Sequence, residues 1–97
     1  MALTRRQRQY LRAQAHRLRP VVAVGAAGLS PNVLRELDAS IAHHELIKLK
    51  LASADDPDGQ AAAAAAGIRA ELVAVIGRTA VLFRPRPDGS RFVLPGN

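Results

Sequence analysis

The chain has 97 residues, of which 14 are lysine or arginine and 8 are aspartate or glutamate, so its formal net charge is +6 at pH 7. This length suits one compact domain and leaves no room for a second. The positive charge favours a polyanionic partner, either a nucleic acid or an anionic membrane surface. The absence of cysteine excludes disulfide bonds, a thiolate nucleophile and a sulfur-ligated metal site, and a reducing cytoplasm is the simplest location.

Positive charge is concentrated at the start of the chain, where the first acidic residue is Glu36. The arginines that precede it are Arg5, Arg6, Arg8, Arg12, Arg17, Arg19 and Arg35. On a helix, the basic side chains that share one arc of about 80° are Arg5, Arg8, Arg12, His16 and Arg19. The apolar side chains on the other side are Leu3, Tyr10, Leu11 and Leu18. The pattern predicts a helix with one face for packing and one for phosphate, and the alternative is a solvated face that keeps a small protein soluble.

The first helix has recognisable end signals. Thr4 and Gln7 have the spacing of a capping box, which predicts a helix that begins at Arg5. Pro20 disfavours helical backbone at the residue before it, so the helix is expected to end at residue 16–18.

A short strand, a turn with two glycines and a second helix come next. The apolar run 21–24 predicts a buried strand, and segment 25–28 interrupts it. Ser30 as the N-cap and Pro31 at the first helical position predict a helix that ends near residue 43 or 44.

The second half of the chain predicts three strands and one helix. Residues 46–51 alternate as in a strand with one face in water, with Lys48 and Lys50 on the wet side. The aspartate-rich segment 55–59 predicts a turn that places negative charge before a third helix, which is built on an alanine run and ends near Ile68. Two apolar strands, 72–76 and 80–83, are joined by a hairpin turn at 77–79, and the last residues, including the segment 87–90, predict a turn and an extended tail.

The element order is therefore helix, strand, helix, strand, helix, strand, strand. Two crossover units followed by a hairpin predict an α/β domain with a four-stranded mixed sheet packed with helices. The order of the strands within the sheet does not follow from the pattern.

The segment Gly25-Ala26-Ala27-Gly28 is the most informative candidate site. A G-x-x-G loop between a strand and a helix N-terminus can bring a nucleic-acid backbone against bare main chain, and the helix dipole favours phosphate there. The pattern alone is weak, since a tight strand-to-helix turn explains it equally well. It lacks the lysine and hydroxyl residue of a P-loop and the third glycine of a dinucleotide fingerprint.

No pattern in the chain indicates catalysis, a metal site or a cofactor. His43, His44 and Glu45 lie at a predicted helix end and lack a further ligand of suitable spacing, so a structural or capping role is favoured. The aspartates of segment 55–59 lack the terminal glutamate of a calcium loop. The aromatic residues are Tyr10, Phe83 and Phe92, too few for a base-stacking platform. Any nucleic acid is therefore expected to be held mainly by phosphate and shape.

Three blocks of sequence resemble a known family. They are LTRRQRQYLRAQAHRLRPVVAVGAAGL, HHELIKLKL and AELVAVIGRTAVLFRP, which together span about residues 3–85. In order and spacing they resemble the CRM domain (chloroplast RNA splicing and ribosome maturation), in its bacterial single-domain YhbY type. The resemblance implies a domain core at about 3–85 and a fold similar to the C-terminal domain of translation initiation factor three. Residues 86–97 are expected to form an extended tail of the same single domain, 1–97.

The same resemblance implies a function and a site. It implies an RNA-binding protein, not an enzyme, that associates with precursors of the large ribosomal subunit through the G-x-x-G loop and surrounding basic residues. The implied site residues are Gly25, Ala26, Ala27, Gly28, Arg12, His16, Lys48, Lys50, Arg78 and Arg84, with Arg5 and Arg8 as further candidates.

Other functions remain open from the residues alone. One alternative is a general RNA chaperone or nonspecific nucleic-acid-binding protein, including one that binds DNA. Another is a peripheral membrane protein anchored by the first helix, but the apolar face of that helix is small for this purpose. The longest uncharged run, 20–34, contains glycine and proline, so no membrane span is predicted. The N-terminus has charges where a signal peptide needs an apolar core, so no export signal is predicted and a cytoplasmic location is expected.

Overall fold

The computed structural model describes residues 2–25, 27–53 and 55–96. In these residues the helices and strands are α1 (Arg5–Ala15), β1 (Pro20–Ala23), α2 (Pro31–His44), β2 (Leu46–Lys50), α3 (Pro57–Gly67), β3 (Glu71–Ile76) and β4 (Thr79–Phe83). The predicted α/β class and the predicted element order are confirmed. No helix in this part of the chain is both long and apolar enough to cross a bilayer.

Helix α1 begins as predicted and ends early. Thr4 Oγ1 accepts a hydrogen bond from the Gln7 N–H at 3.1 Å, and Gln7 Oε1 accepts one from the Thr4 N–H at 3.0 Å, so the capping box is present. The helix ends at Ala15 with His16 as its C-cap. The prediction that Leu18 lies on the packed face of this helix is wrong, because the chain has left the helix there and Leu18 is 38% exposed.

The four strands form one mixed sheet in the order β1-β2-β4-β3. β1 and β2 run parallel because α2 crosses between them, whereas β4 is antiparallel to both of its neighbours. The β3–β4 turn needs a residue with positive φ, which Gly77 supplies at +59°. The C-terminal ends of β1 and β2 and the β3–β4 turn lie at the same end of the strands. We call this the loop end of the sheet and the opposite end the far end.

The helices cover both faces of the sheet and create two apolar cores. On one face, α2 and α3 pack over the inward side chains of β2, such as Leu49, with Leu37 and Ile41 fully buried. On the other face, Leu11 of α1 packs on Phe83, and both are fully buried. The strand pleat explains the division, because alternate residues of β2 point to opposite faces.

Helix α3 approaches the sheet closely because its buried residues are small. Ala61 and Ala64 are fully buried beneath it. Asp56 is its N-cap and accepts a hydrogen bond from the Gly59 N–H at 3.1 Å, and a Cβ on Gly59 would collide with that carboxylate. The segment predicted as a turn, 55–59, is therefore largely the first turn of the helix.

The C-terminal tail, predicted from the sequence to be extended, packs back onto the domain through the buried carboxylate of Glu45. Glu45 is fully buried; its Oε1 accepts from the Arg86 N–H at 3.1 Å and its Oε2 accepts from the Arg91 N–H at 2.9 Å. The Phe92 ring then meets Phe83 edge to face, with centroids 5.8 Å apart. Residues 84–96 are thus tied to the far end of the sheet.

Replacing Glu45 with glutamine should destabilise the fold. Burial by itself raises the pKa of Glu45, but hydrogen bonds from the Arg91 main chain, the Ser90 side chain and the Arg86 main chain outweigh it and hold the pKa below its ordinary value. An amide nitrogen cannot accept from an N–H, so Glu45→Gln leaves a main-chain donor unpaired, which costs about 1–3 kcal/mol of unfolding free energy. Chemical denaturation at neutral pH measures this loss.

The same carboxylate should make the wild-type protein acid-labile. Since the folded-state pKa of Glu45 is lowered, the ionised group stabilises the fold above the ordinary pKa of 4.5, and this contribution is lost as the pH falls through the folded-state pKa. The Glu45→Gln protein has no carboxylate to protonate at this position, so its unfolding free energy should fall less between neutral and acid pH. Equal unfolding free energies for the two proteins at neutral pH would contradict this role.

Candidate functional site

The G-x-x-G segment lies in a solvent-exposed turn at the loop end of the sheet. The Gly28 N–H donates to the Gly25 carbonyl at 3.0 Å, and the Ser30 N–H donates to the Gly28 carbonyl at 2.9 Å. Gly28 has φ +73°, a conformation that favours glycine. A Cβ built on Gly25 or on Gly28 meets no atom within 4 Å, so both face open space. Ala27 is exposed, and Ala26 lies outside the described residues.

Helix α2 follows the loop and largely satisfies its own N-terminus. Ser30 Oγ accepts from the Val33 N–H at 3.2 Å, and Pro31 has no N–H to offer. The positive end of the helix dipole still points towards the loop. An anion at the loop would therefore depend on close approach to the glycine backbone and on neighbouring cations more than on the helix donors.

Three of the predicted basic residues converge in one cleft between α1 and the sheet. Arg12 and His16 lie at the C-terminal end of α1, and the pleat of β2 places Lys48 on the same face of the sheet. The cleft has a volume of about 360 Å³. Its lining residues are Arg12, Ala15, His16, Lys48, Ile76, Thr79 and Val81.

Lys50 and Arg78 connect this cleft to the glycine loop. Lys50 is exposed and is in register with Ala23 of β1 and with Thr79 of β4. Gly25 is two residues beyond Ala23, about 7 Å along the strand direction. Arg78 is exposed in the β3–β4 turn, and its carbonyl accepts from the Leu51 N–H at 2.6 Å.

We call this set of residues the loop-end surface: Gly25, Ala27, Gly28, Lys50 and Arg78, together with Arg12, His16 and Lys48 of the cleft. Arg8 lies one helical turn before Arg12 on the same side of α1, and Arg5 a further turn back. Both are exposed, so the row of cations continues from the cleft towards the start of α1.

The structure does not bring Arg84 to the loop-end surface. Arg84 follows the last residue of β4, five residues beyond Thr79, which places it about 17 Å away at the far end of the sheet. Its Nη1 donates to Asp38 Oδ1 at 2.7 Å and to the Ile68 carbonyl at 2.6 Å. These contacts join α2 and the end of α3 to the sheet, which is a structural role.

The remaining cations differ from Arg84 in their ion pairing. Across residues 2–25, 27–53 and 55–96, the ion pairs join Arg84 to Asp38 and Arg91 to Glu45, both at the far end. Arg12, Lys48 and Lys50 have no acidic partner in that part of the chain. Their charge is therefore available to an external anion.

The sequence interpretation missed four lining residues of the cleft, of which Ile76 and Thr79 are the more exposed. Ile76 is 46% exposed at its rim, and Thr79 lines it. Both belong to the ends of hairpin strands, and only the pairing of β4 with β2 puts them beside Lys48. The predicted hairpin could have indicated them if the strand order had been known.

The histidine pair lies away from this surface. His43 and His44 end α2 with their rings edge to face, 4.6 Å between centroids, and the neighbouring Glu45 is occupied by the tail. No group of three or more potential metal ligands occurs within the described ranges.

Comparison with known proteins identifies similar chains. The sequence profile of the CRS1 / YhbY (CRM) domain matches residues 3–84. The chain is 42% identical over 88 residues to a Haemophilus influenzae protein named "RNA-binding protein", covering 89% of each chain. It is 33% identical over 95 residues to the Bacillus subtilis "Probable RNA-binding protein YqeI", covering 96% of this chain and 99% of that one.

A solved structure has the same fold. The solution structure of the hypothetical protein SAV1595 from Staphylococcus aureus superposes with a TM-score of 0.85 at 32% sequence identity. The superposition covers 97% of this chain and 100% of the other. The fold and the family predicted from the sequence are both confirmed.

Proposed function

The chain belongs to the CRS1 / YhbY (CRM) domain family, and we propose that it binds structured RNA through the loop-end surface. One observation carries the proposal. A solvent-exposed glycine turn lies at the same end of the sheet as cations that have no acidic partner among the described residues. Relatives that match nearly the whole chain are named as RNA-binding proteins, which supports RNA as the polyanion.

The surface is suited to phosphate and shape more than to base stacking. Phe83 is buried, Phe92 packs against it at the far end, and Tyr10 packs in the core beneath α1. In the described part of the loop-end surface no aromatic ring is present. Double-stranded RNA is recognised mainly through its backbone and A-form shape, which is the mode that a cationic surface of this kind favours.

We further propose that the RNA is ribosomal and that the protein assists assembly of the large ribosomal subunit in the cytoplasm, without catalysis. Nascent ribosomal RNA is an abundant folded RNA, and the sequence resemblance to the YhbY type points to the same target. The alternative, a general RNA chaperone, would use the same surface without preference for a particle.

This proposal predicts a distribution in a sucrose gradient. Tagged protein from growing cells should co-sediment with immature large-subunit particles and be scarce on mature 70S ribosomes, whose assembly surfaces are covered. The profile should be repeated at raised salt and with Gly28→Asp, which is expected to shift the protein to the top of the gradient.

Two results would contradict an assembly role. One is an even spread of the protein over both subunits and polysomes. The other is wild-type protein wholly at the top of the gradient, indistinguishable from Gly28→Asp. Either result would leave nonspecific RNA binding as the remaining interpretation.

A further inference from the structure

A second concave site adjoins the glycine loop on the opposite face of the sheet from the cationic cleft. It is an open cavity of about 370 Å³ between the loop, the end of β2 and the first turns of α3. Its walls include Gly28, Leu29, Leu51, Ala52 and Ala63, and Asp56 stands at its rim. Gly28 therefore belongs both to the proposed phosphate-binding loop and to this cavity.

The walls are mainly apolar, and the polar groups that are present are largely committed. Gln60 Oε1 accepts from the Ala52 N–H at 3.2 Å, and Gln60 Nε2 donates to the carbonyls of Ser53 and Asp55. Asp56 Oδ1 accepts from the Gly59 N–H. The second carboxylate oxygen of Asp56 has no hydrogen-bond partner among the described residues.

We propose that this cavity receives one unpaired nucleobase of the RNA, with the adjacent phosphate against the glycine loop. The inference rests on the proposed RNA-binding function. A volume of this size falls within the range of small-molecule sites, about 300–1,000 Å³. The cations Lys50 and Arg78 lie at the same end of the sheet and can hold the flanking backbone.

The chemistry of the cavity selects a base over a phosphate. Apolar walls and the carboxylate of Asp56 disfavour an anionic group, whereas a flat base buries apolar surface there. A carboxylate oxygen also accepts hydrogen bonds from the N–H and amino groups of a base, which a phosphate lacks. A base within a continuous duplex is stacked and cannot enter, so the occupant must come from a bulge, loop or end.

Filling the cavity tests the proposal with a matched control. Ala63 and Ala62 are both exposed alanines of α3, but only Ala63 lines the cavity. Leucine is a good helix former at either position. Affinity would be measured for two hairpin RNAs, one with a single unpaired adenine and one fully paired.

Ala63→Leu should weaken binding of the bulged hairpin about tenfold, the effect of losing roughly 55 Å² of buried apolar surface between base and cavity, and leave the paired hairpin unchanged. Ala62→Leu should alter neither affinity. The wild-type protein should lose about the same factor when the unpaired adenine is replaced by an abasic residue, because the same apolar contact is removed. This comparison does not depend on the folding of a variant.

The outcomes separate this inference from the proposed function. Unchanged affinity for the bulged hairpin in Ala63→Leu, or equal weakening of both hairpins, would overturn the base-binding cavity while leaving RNA binding in place. An abasic bulge that binds the wild-type protein as well as adenine does would overturn it independently. Failure of the wild-type protein to bind either hairpin would instead contradict the proposed function.

Discussion

Gly28→Asp should weaken binding of structured RNA by roughly 5- to 100-fold. A carboxylate on Gly28 would carry negative charge at the place proposed for a phosphate. Two like charges at roughly 6 Å repel by about 1–2.7 kcal/mol at an effective dielectric constant between those of a protein surface and water, which corresponds to about 5- to 100-fold in affinity. The space around Gly28 is open, so the new side chain meets no steric obstacle. Affinity for a structured RNA, measured at fixed salt concentration, tests this directly.

Gly28→Asn is the matched control for backbone strain. Asparagine and aspartate have similar size, and both tolerate the positive φ that Gly28 has better than other non-glycine residues do. Both variants should lose about 1 kcal/mol of stability or less, and only the aspartate variant should lose most of its RNA affinity. If the two variants bind RNA equally well, the loop does not contact a phosphate.

Arg12→Gln and Lys48→Gln should each flatten the salt dependence of RNA binding. Both cations line the cleft at the loop end and lack acidic partners in the described residues. Each phosphate contact that is lost should make the slope of log K against log salt concentration less negative by about 0.7–0.9. Because the contacts are to phosphate, the loss should be similar for unrelated structured RNAs.

Arg84→Gln provides the contrasting case. Arg84 lies at the far end of the sheet and bonds to Asp38 and Ile68, so its removal should cost about 1 kcal/mol of stability and leave the salt slope unchanged. The reverse pattern, with an altered slope for Arg84→Gln and wild-type slopes for Arg12→Gln and Lys48→Gln, would indicate that RNA binds at the far end of the sheet.

Local signals explain why most elements could be predicted from the sequence. The capping box at Thr4 and the Ser30-Pro31 start depend on neighbouring residues, and hydrogen bonds or φ preferences act there regardless of the rest of the fold. The end of α1 was harder to predict from the sequence. Pro20 limits the helix but does not say how many residues before it unwind, and the structure ends the helix at Ala15.

The candidate site required information that no local pattern contains. Lys48 and Arg12 meet because α1 packs across one face of the sheet, and Arg84 is separated from them because β4 runs away from the loop end. Strand order decides both relations, and it depends on pairing between residues distant in the chain. The sequence therefore predicted the cations by type but not which of them share a surface.

The cavity beside α3 also escaped prediction. Its walls come from four separate segments, and alanines such as Ala63 carry no signal of a binding site. Only the close approach of α3, permitted by Ala61 and Ala64, and the capping of that helix by Asp56 place the cavity next to Gly28.

The location of the RNA can be measured directly by NMR, since a chain of 97 residues gives a tractable amide spectrum. Titration of the labelled protein with a structured RNA should shift the amide signals of Gly25, Gly28, Lys48, Lys50 and Arg78. The amide signals of Asp38, Arg84 and Arg91 at the far end should not shift. Shifts concentrated at Asp38, Arg84 and Arg91, with the glycine loop and the cleft unmoved, would contradict RNA binding at the loop-end surface.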